Sequence, residues 1–480
     1  MPVTEPPDDL GTWLARDVEP LSPPPGTFER IHRHARRRKL NQALAAAAGA
    51  VVVIAGAVLI PAAATGLLTG GGGGPAGPAA AGRTSSAPAA SSSPPPSVSA
   101  PVAPPPGAAG TGTGLSATTS GAPAPANFQP TSITMISGSI GAVIGQAGTP
   151  GHCGPPVAGD CTSLAGTSDY GTSWYGVSAP VTAAPDGGTG VSQLRFLNLS
   201  DGWAYGPALY ATADGGRQWT PVPTFGLRVT ALEAAGNRAF VVLARCQGAG
   251  PDYAAGCSTF SLYSMAAGTT ALQPVTLSLP ASGGPGVMGV AGVAGSASLV
   301  IKGDAANPEA GTGYLFAPSG DILTGPVGGG PWTVATRAPC APGTAAASGA
   351  PLGGQLALSG SVLLLNCTGR GSPPGQLWEW AAGEPWTTVA VTGGSGTAQS
   401  LAATSAGRMV LATTTGLFVT ALPDPGAWRS ASIAGGPPAG GFSYVGMTSP
   451  AQGVALPANA ALGEVFVTRD GGQTWTPHQV

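Results

Sequence analysis

An eight-residue pattern occurs three times in this 480-residue chain, at residues 167–174, 212–219 and 468–475. It reads Ser/Thr, any residue, Asp, any residue, Gly, any residue, Ser/Thr, Trp, and only Gln218 departs from a fixed position. An internal repeat indicates a chain of similar supersecondary units that stack on one another. The positions that we predict to be structural are Thr167, Asp169, Gly171, Trp174, Thr212, Asp214, Gly216, Trp219, Thr468, Asp470, Gly472 and Trp475.

Each fixed residue type in this pattern suits a tight turn between two strands. Asp and Ser/Thr side chains bond to nearby backbone N–H groups, and Gly adopts the positive φ that such a turn needs. Trp can bury a large apolar face between neighbouring units. Short strand-like runs, residues 209–211 and 465–467, precede two of the copies. The pattern therefore predicts a β-hairpin turn that is held by its own side chains.

The pattern resembles the Asp-box, or BNR, repeat of sialidase-like β-propellers. In that family the repeat lies on the turn between the third and fourth strands of a blade and has a structural role. The resemblance implies a propeller, and it raises glycoside hydrolysis as a hypothesis. The chain is rich in Gly and Ala and poor in Lys, which indicates a GC-rich, actinobacterial source. Together with the apolar segment described below, this predicts a membrane-anchored, actinobacterial protein of this type.

The number of blades follows from the tryptophans that mark fourth strands. The interval between Trp219 and Trp332 is long enough for two blades, and residues 271–277 fill it as a degenerate fourth strand. The spacing then predicts an all-β, seven-bladed propeller of four-stranded blades; a pair of β-sandwiches is the alternative. We also expect the ring to close between two whole blades, although residues 126–128 remain candidates to join the last sheet. The tryptophan markers are Trp174, Trp219, Trp332, Trp386, Trp428 and Trp475.

Composition divides the chain into four segments. We predict a basic cytoplasmic tail over residues 1–39, a transmembrane signal-anchor helix over 40–68, a disordered linker rich in Pro, Gly, Ala and Ser over 69–128, and an extracytoplasmic propeller over 129–480. The anchor has about the ~20 apolar residues needed to cross a bilayer, and the preceding arginines place the N-terminus in the cytoplasm. A cleaved signal peptide is the alternative to the anchor.

The basic cluster that ends the tail has a second interpretation, which is binding to nucleic acid or anionic lipid. The formal net charge of the chain is −2, so electrostatics give no case for a nucleic-acid partner. We therefore interpret the cluster as a topology signal.

All six cysteines lie beyond residue 150. An even number in the predicted outer domain suits an oxidising compartment. The spacing favours three sequential disulfides, with a metal site as the weaker alternative because no Cys-x-x-Cys occurs. The predicted pairs are Cys153–Cys161, Cys246–Cys257 and Cys340–Cys367.

The sequence contains no complete catalytic constellation. The resemblance implies that hydrolysis needs three arginines, a Tyr–Glu pair and an acid/base Asp, but no arginine occurs between residue 129 and Arg195. Other glycosidases need two facing carboxylates, and no glutamate of the domain lies in a recognisable motif. We predict no catalytic residue, cofactor or metal site. The glutamates of the domain are Glu233, Glu309, Glu379, Glu384 and Glu464.

Two further groups of residues have alternative interpretations. Asp214 and Asp470 could suggest calcium, but aspartates of this motif more often hold the turn. Trp378 and Trp380 alternate around Glu379 and could form a sugar-stacking platform, although core packing is expected for at least one of them.

We therefore predict a membrane-anchored, extracytoplasmic and monomeric propeller that binds a protein or glycan at the cell surface without catalysis. The alternative is a divergent, sialidase-like exo-glycosidase. Arginines and carboxylates clustered at the channel mouth would favour the enzyme, whereas a channel lined by Ala, Gly, Ser and Thr would favour the binding module. A third hypothesis is that the cytoplasmic tail reports the state of the outer domain to a partner that the sequence does not specify.

Overall fold

The computed structural model describes residues 114–118, 121–147, 161–182, 189–246, 257–279, 296–303, 307, 310–340, 353–368, 377–391, 394–421 and 428–480. All of them belong to a compact unit that comprises residues 101–480. The predicted tail, anchor and most of the linker lie outside the described residues. Within the described part, no helix is both long enough and apolar enough to cross a bilayer, so the anchor at 40–68 stays a prediction.

The described strands form seven sheets that follow one another along the chain. Blade 1 contains β1 (Gln129–Met135), β2 (Gly141–Ala147), β3 (Cys161–Thr167) and β4 (Tyr175–Val177). Blade 2 contains β5 (Val191–Phe196), β6 (Gly202–Pro207), β7 (Leu209–Thr212) and β8 (Thr220–Pro221). Blade 3 contains β9 (Arg228–Ala235), β10 (Arg238–Cys246), β11 (Cys257–Ala266) and β12 (Gln273–Pro274). Blade 4 contains β14 (Ser298–Lys302), β15 (Thr312–Phe316), β16 (Asp321–Pro326) and β17 (Trp332–Arg337), with β13 (Leu277–Ser278) on its outer edge.

The last three blades repeat this arrangement. Blade 5 contains β18 (Gly353–Ser359), β19 (Val362–Thr368), β20 (Leu377–Trp380) and β21 (Thr387–Val389). Blade 6 contains β22 (Ala398–Ala403), β23 (Arg408–Thr413), β24 (Gly416–Ala421) and β25 (Arg429–Ser430). Blade 7 contains β27 (Phe442–Met447), β28 (Gly453–Pro457), β29 (Glu464–Thr468) and β30 (Thr474–Gln479), with β26 (Ser432–Ile433) on its outer edge.

These sheets confirm the predicted seven-bladed propeller of four-stranded blades. The degenerate fourth strand of blade 3 is β12, which lies within the predicted 271–277 run and pairs with β11. The sequence did not reveal β13 and β26, which pair in parallel with the outermost strands β17 and β30. Each follows the short fourth strand of one blade and extends the sheet of the next.

Side chains on the innermost strands hydrogen-bond to the next blade around the ring. Ser298 Oγ accepts a hydrogen bond from Leu356 N at 3.0 Å, and Gln355 Oε1 accepts one from Leu401 N at 2.9 Å. Ser132 with Leu194 and Ser400 with Val445 repeat this contact. Because adjacent sheets share no ladder, these bonds give the inner strands a defined position relative to one another.

The ring closes between blade 1 and blade 7, and each is built from strands of one end of the chain. This confirms closure between whole blades, since residues 126–128 do not pair with the last sheet. Phe128 is buried in a cluster with Val454 and Val465 of blade 7 and therefore contributes a side chain to the closure.

The described end of the predicted linker contacts the propeller. Leu115 is buried, and its N–H donates to Gly215 O at 2.8 Å. Gly176 N donates to Ala122 O at 2.7 Å, which places this segment along the outer edge of β4. Ordered contacts with the domain therefore begin before the predicted boundary at residue 128, because Leu115 and Phe128 supply apolar side chains that can be buried.

Two of the three predicted disulfides are present. Cys246–Cys257 closes the connection between β10 and β11. Cys340–Cys367 joins the segment after β17 to β19. Cys161 is disulfide-bonded, but its predicted partner Cys153 lies outside the described residues.

Candidate functional site

The three eight-residue motifs form the same hydrogen-bonded turn between the third and fourth strands of their blades. In the first, Thr167 Oγ1 donates to Asp169 Oδ1 at 2.9 Å and accepts from Gly171 N at 2.9 Å. The N–H of Ser173 also donates to Asp169 Oδ1 at 2.9 Å. The other two copies repeat these three contacts, each at 2.9 Å. The aspartate at the centre of each turn is therefore engaged by the turn itself.

Gln218 makes the second copy weaker by one hydrogen bond. The hydroxyls of Ser173 and Thr474 donate to the second oxygen of Asp169 and Asp470, at 2.6 and 2.7 Å. Gln218 has no hydroxyl, and only its backbone N–H bonds to the aspartate of its turn. Partial burial raises the pKa of Asp169 and Asp470, but the hydrogen bonds to their carboxylates outweigh it, so that each pKa is lowered.

The motifs also connect each turn to another hairpin of its own blade and to the preceding blade. The N–H at the fourth position of each turn donates to a carbonyl of the hairpin between the first two strands, at 3.0, 2.8 and 2.7 Å. The tryptophan packs against the preceding blade: Trp219 Nε1 donates to Ser178 O at 2.9 Å, and Trp475 joins a cluster with Val410 and Val419. The three motifs lie on blades 7, 1 and 2, which are consecutive around the ring. They are structural joints on both sides of the closure.

Calcium binding is the alternative interpretation of Asp214 and Asp470. The described residues contain no group of three His, Cys, Asp or Glu side chains placed to hold a metal ion. Asp470 already accepts hydrogen bonds from Thr468, Gln473 and Thr474, which uses the lone pairs that calcium would need.

The central channel contains a cavity of about 610 Å³ among the described residues. Its walls come mostly from the inner strands of blades 2 to 7 and are mainly aliphatic, with several Ala side chains, two Ser and one Thr. Arg195 on β5 and Glu233 on β9 are the charged members of this described lining. The channel therefore combines a mostly neutral wall with one local concentration of charge.

Arg195 and Glu233 form an ion pair between adjacent blades. Arg195 Nη2 lies 2.6 Å from Glu233 Oε1, and the two side chains are 25% and 24% exposed. Burial favours the neutral carboxyl and raises the pKa of Glu233, an effect that the charge of Arg195 partly opposes. Burial also disfavours the protonated guanidinium, but the interactions with Glu233, Tyr205 and Tyr444 together outweigh it, so the pKa of Arg195 is raised. The guanidinium therefore stays protonated.

Two tyrosines complete this group, which we call the channel cluster: Arg195, Glu233, Tyr205 and Tyr444. Both phenols interact electrostatically with the guanidinium, and the Tyr205 hydroxyl donates a hydrogen bond to Leu232 O at 3.4 Å. Burial raises the pKa of Tyr205 to about 12 and also raises the pKa of Tyr444. The charge of Arg195 opposes both shifts. Both hydroxyls are thus protonated near neutral pH. Arg195 Nε is buried and has no hydrogen-bond partner among the described residues.

The channel cluster lies between two cavities. A second cavity of about 280 Å³ is lined by the end of β1 and the turn that follows it, including Thr134 and Ser137, and also by Arg195 and Tyr444. Arg195, Tyr444 and Met447 line both cavities. The cluster therefore faces open space on two sides.

Sequence reasoning named Arg195 and Glu233 separately but did not bring them together. They are 38 residues apart in the chain, and their meeting depends on the side-by-side position of β5 and β9. The sequence patterns did not indicate Tyr205 or Tyr444. Tyr444 belongs to blade 7, far in sequence from the other members of the cluster. Arg195, Glu233 and Tyr444 lie on the first strands of their blades, so a polar side chain on such a strand is the signal that indicates them. Tyr205 lies on the second strand β6.

The other described glutamates do not line either cavity. Glu379 accepts a hydrogen bond from the Thr387 hydroxyl at 3.0 Å, and Glu464 accepts one from Gln479 at 3.3 Å in an exposed contact. Glu384 lies in the turn between β20 and β21, and Glu309 lies outside the described residues. The described channel wall thus offers one carboxylate.

The expectation of core packing at the Trp378–Trp380 pair is confirmed. Trp380 is buried, and its ring stacks on Trp386 at 6.1 Å. Trp378 packs partly buried against the same cluster. The pair therefore does not present an exposed two-ring platform.

No protein-family model and no curated protein matches this chain. It is similar to the solved structure of YCF48 from Cyanidioschyzon merolae, with 16% identity, coverage of 59% of this chain and 83% of that chain, and a TM-score of 0.40. It is also similar to Sqt1 of Saccharomyces cerevisiae (12% identity, 72% and 84% coverage, TM-score 0.43). A third similar structure is the BP39L lectin of Burkholderia pseudomallei (13% identity, 72% and 98% coverage, TM-score 0.43). These similarities concern the fold alone.

Proposed function

We propose that this chain is a membrane-anchored, extracytoplasmic and monomeric propeller that binds a protein or glycan at the cell surface and does not catalyse a reaction. In this proposal residues 40–68 cross the membrane once, and the three turn motifs are Asp boxes of the BNR type. The arginines before an uncharged apolar run support the anchor. The disulfides Cys246–Cys257 and Cys340–Cys367 support an oxidising compartment.

The ion pair between Arg195 and Glu233 is the observation that carries the non-catalytic assignment. Glycosidases place two carboxyl groups on either side of the scissile bond, whereas the described channel wall offers Glu233 alone. The resemblance to sialidases would require arginines that receive a substrate carboxylate. Here the single channel arginine is paired with a carboxylate of the protein itself, which supports binding without hydrolysis.

One observation favours the alternative of a divergent exo-glycosidase. Tyr444 and Glu233 both contact Arg195, and the resemblance associates a Tyr–Glu pair with a nucleophile. The raised pKa of Tyr444 weighs against that role, because a protonated phenol is a poor nucleophile. We therefore retain the enzyme as the second candidate.

Cross-linking capture from the native envelope tests the binding assignment. Full-length protein in its own membrane would be cross-linked and purified, and the captured proteins and glycans identified. We expect a partner whose recovery saturates and is lost after thermal unfolding of the propeller. Recovery of no specific partner, together with release of sugar from envelope glycans, would overturn the proposal.

A further inference from the structure

We propose that the channel cluster is the ligand site and that its ligand is an uncharged, hydroxyl-rich group, the terminal sugar of a neutral glycan. This inference rests on the proposed binding function and specifies its site and ligand class. It follows from the space around the cluster, the hydrogen-bonding groups that the cluster offers, and its charge balance.

The channel cluster borders enough open space for a small ligand. The two cavities that meet at Arg195 and Tyr444 measure about 610 and 280 Å³, and small-ligand sites occupy roughly 300–1,000 Å³. About a quarter of Arg195 and of Glu233 is exposed to this space. A ligand can therefore reach the cluster without displacing the core of a blade.

The channel cluster combines hydrogen-bond donors with acceptors. A guanidinium only donates hydrogen bonds, an ionised carboxylate only accepts them, and a phenol does both. Arg195 Nη2 and Glu233 Oε1 stand 2.6 Å apart, so one hydroxyl of a sugar can accept from the guanidinium while the hydroxyl on the next carbon donates to the carboxylate.

The other polar side chains of the larger cavity are mostly engaged by the fold. Ser192 and Thr230 donate to the carbonyls of Gly206 and Val242. Ser298 and Gln355 accept backbone hydrogen bonds from the next inner strand. The channel cluster is consequently where a polar ligand finds its strongest hydrogen-bonding groups. Apolar side chains such as Leu232 line the remaining wall and suit the C–H face of a sugar ring.

The charges of the channel cluster are balanced. The ion pair is neutral as a unit, so an anionic ligand would compete with Glu233 for Arg195 and leave the glutamate unpaired. A cationic ligand would leave Arg195 unpaired in the same way. Removing the partner of a buried charge is strongly unfavourable. The pair therefore selects a neutral polar ligand over either charged form of the same shape.

Five methyl glycosides, which include the matched pair of glucoside and glucuronide, test this inference on the full-length protein in detergent micelles. The probes are methyl β-glucoside, methyl β-glucuronide, and the neutral methyl glycosides of galactose, mannose and N-acetylglucosamine. Saturation-transfer NMR would give the dissociation constants. We expect at least one neutral glycoside to bind saturably with a Kd at or below about 1 mM, and the glucuronide to bind at least tenfold more weakly than it.

The variant Glu233→Gln gives a readout that a purely structural ion pair would not give. It removes the carboxylate that pairs with Arg195, so the neutral glycoside should bind more weakly and the glucuronide more tightly. The preference for the neutral glycoside over the glucuronide should therefore reverse. Glu464→Gln, far from both cavities, is the matched control and should leave both affinities unchanged. Should Glu233→Gln not fold, Tyr444→Phe keeps the ion pair, removes one hydroxyl and should weaken the neutral glycoside.

Several outcomes would overturn the inference: no binding of any neutral glycoside to the folded wild type, equal affinity for the glucuronide, or unchanged preference in Glu233→Gln. Binding of N-acetyl-trialanine amide in place of the glycosides would overturn the sugar assignment in favour of a peptide. Capture of an envelope partner that survives Glu233→Gln would overturn the channel site and leave the proposed function intact. Cleavage of a glycoside during the titration would instead contradict the proposed function.

Discussion

The guanidinium of Arg469 lies 4.9 Å from the centre of the Tyr170 ring and so joins the last blade to the first. The same guanidinium donates to the Thr172 hydroxyl at 3.1 Å across 297 residues of sequence. Trp174 adds an apolar contact by packing among the strands of blade 7. Because the two blades share no strand, contacts between side chains of two turn motifs help to hold blade 7 against blade 1.

Substitution of Arg469 by Ala should weaken this closure. The loss of the cation–π contact at an exposed site corresponds to about 0.5–1 kcal/mol, measured as a decrease in the free energy of unfolding in urea. Arg429→Ala is the control, since Arg429 is exposed on the edge strand β25 and should have a smaller effect. Equal losses in the two variants would contradict the closing role of Arg469.

The three motif tryptophans should differ in their contribution to stability according to burial. Trp475 is 1% exposed, and its replacement by Ala should cost about 3–5 kcal/mol because a large cavity remains. Trp219 is only partly buried, so Trp219→Ala should cost less. Chemical denaturation of both variants measures the difference. A larger loss of stability in Trp219→Ala than in Trp475→Ala would contradict the prediction.

The missing hydroxyl in the second motif can be restored. Gln218→Ser should add the hydrogen bond that Ser173 makes with its aspartate and stabilise the protein by about 0.5–1.5 kcal/mol. The reciprocal change, Ser173→Gln, should destabilise it by a similar amount. Thermal unfolding of the two variants is the measurement, and shifts of the same sign would refute the assignment.

The lowered pKa values of Asp169 and Asp470 predict acid sensitivity. Both pKa values lie below the ordinary 3.8, so the unfolded chain binds more protons than the folded protein as pH falls through this range. The stabilisation is therefore complete above pH 3.8 and is lost as pH falls through the lower, folded-state pKa.

The double variant Asp169→Asn/Asp470→Asn should flatten the dependence of stability on pH below about 4. Urea unfolding at a series of pH values compares its slope with that of the wild type. Glu379→Gln, whose carboxylate is exposed and lies in neither turn, should retain the wild-type slope. Identical slopes in wild type and the double variant would mean that other carboxylates control acid unfolding.

The sequence predicted those parts of the molecule that are determined locally. The turn motif, including its final tryptophan, spans eight residues, so its residue types alone indicate a turn followed by a fourth strand. The short strands β13 and β26 pair in parallel with the next blade, a contact that no local pattern indicates. Arg195 and Glu233 were each noted in the sequence, but their ion pair could not be predicted without knowing which inner strands are neighbours.

The most direct test of the central claim is a comparison of glycoside hydrolysis between the wild type and the double variant Arg195→Met/Glu233→Met. The variant removes both channel charges while retaining side chains of similar length, and circular dichroism would confirm its fold. Initial rates would be measured with fluorogenic sialosides and neutral glycosides. The account predicts no hydrolysis by the wild type above the rate of the variant. A wild-type rate that exceeds it and follows the pH dependence of a catalytic carboxyl would contradict the account.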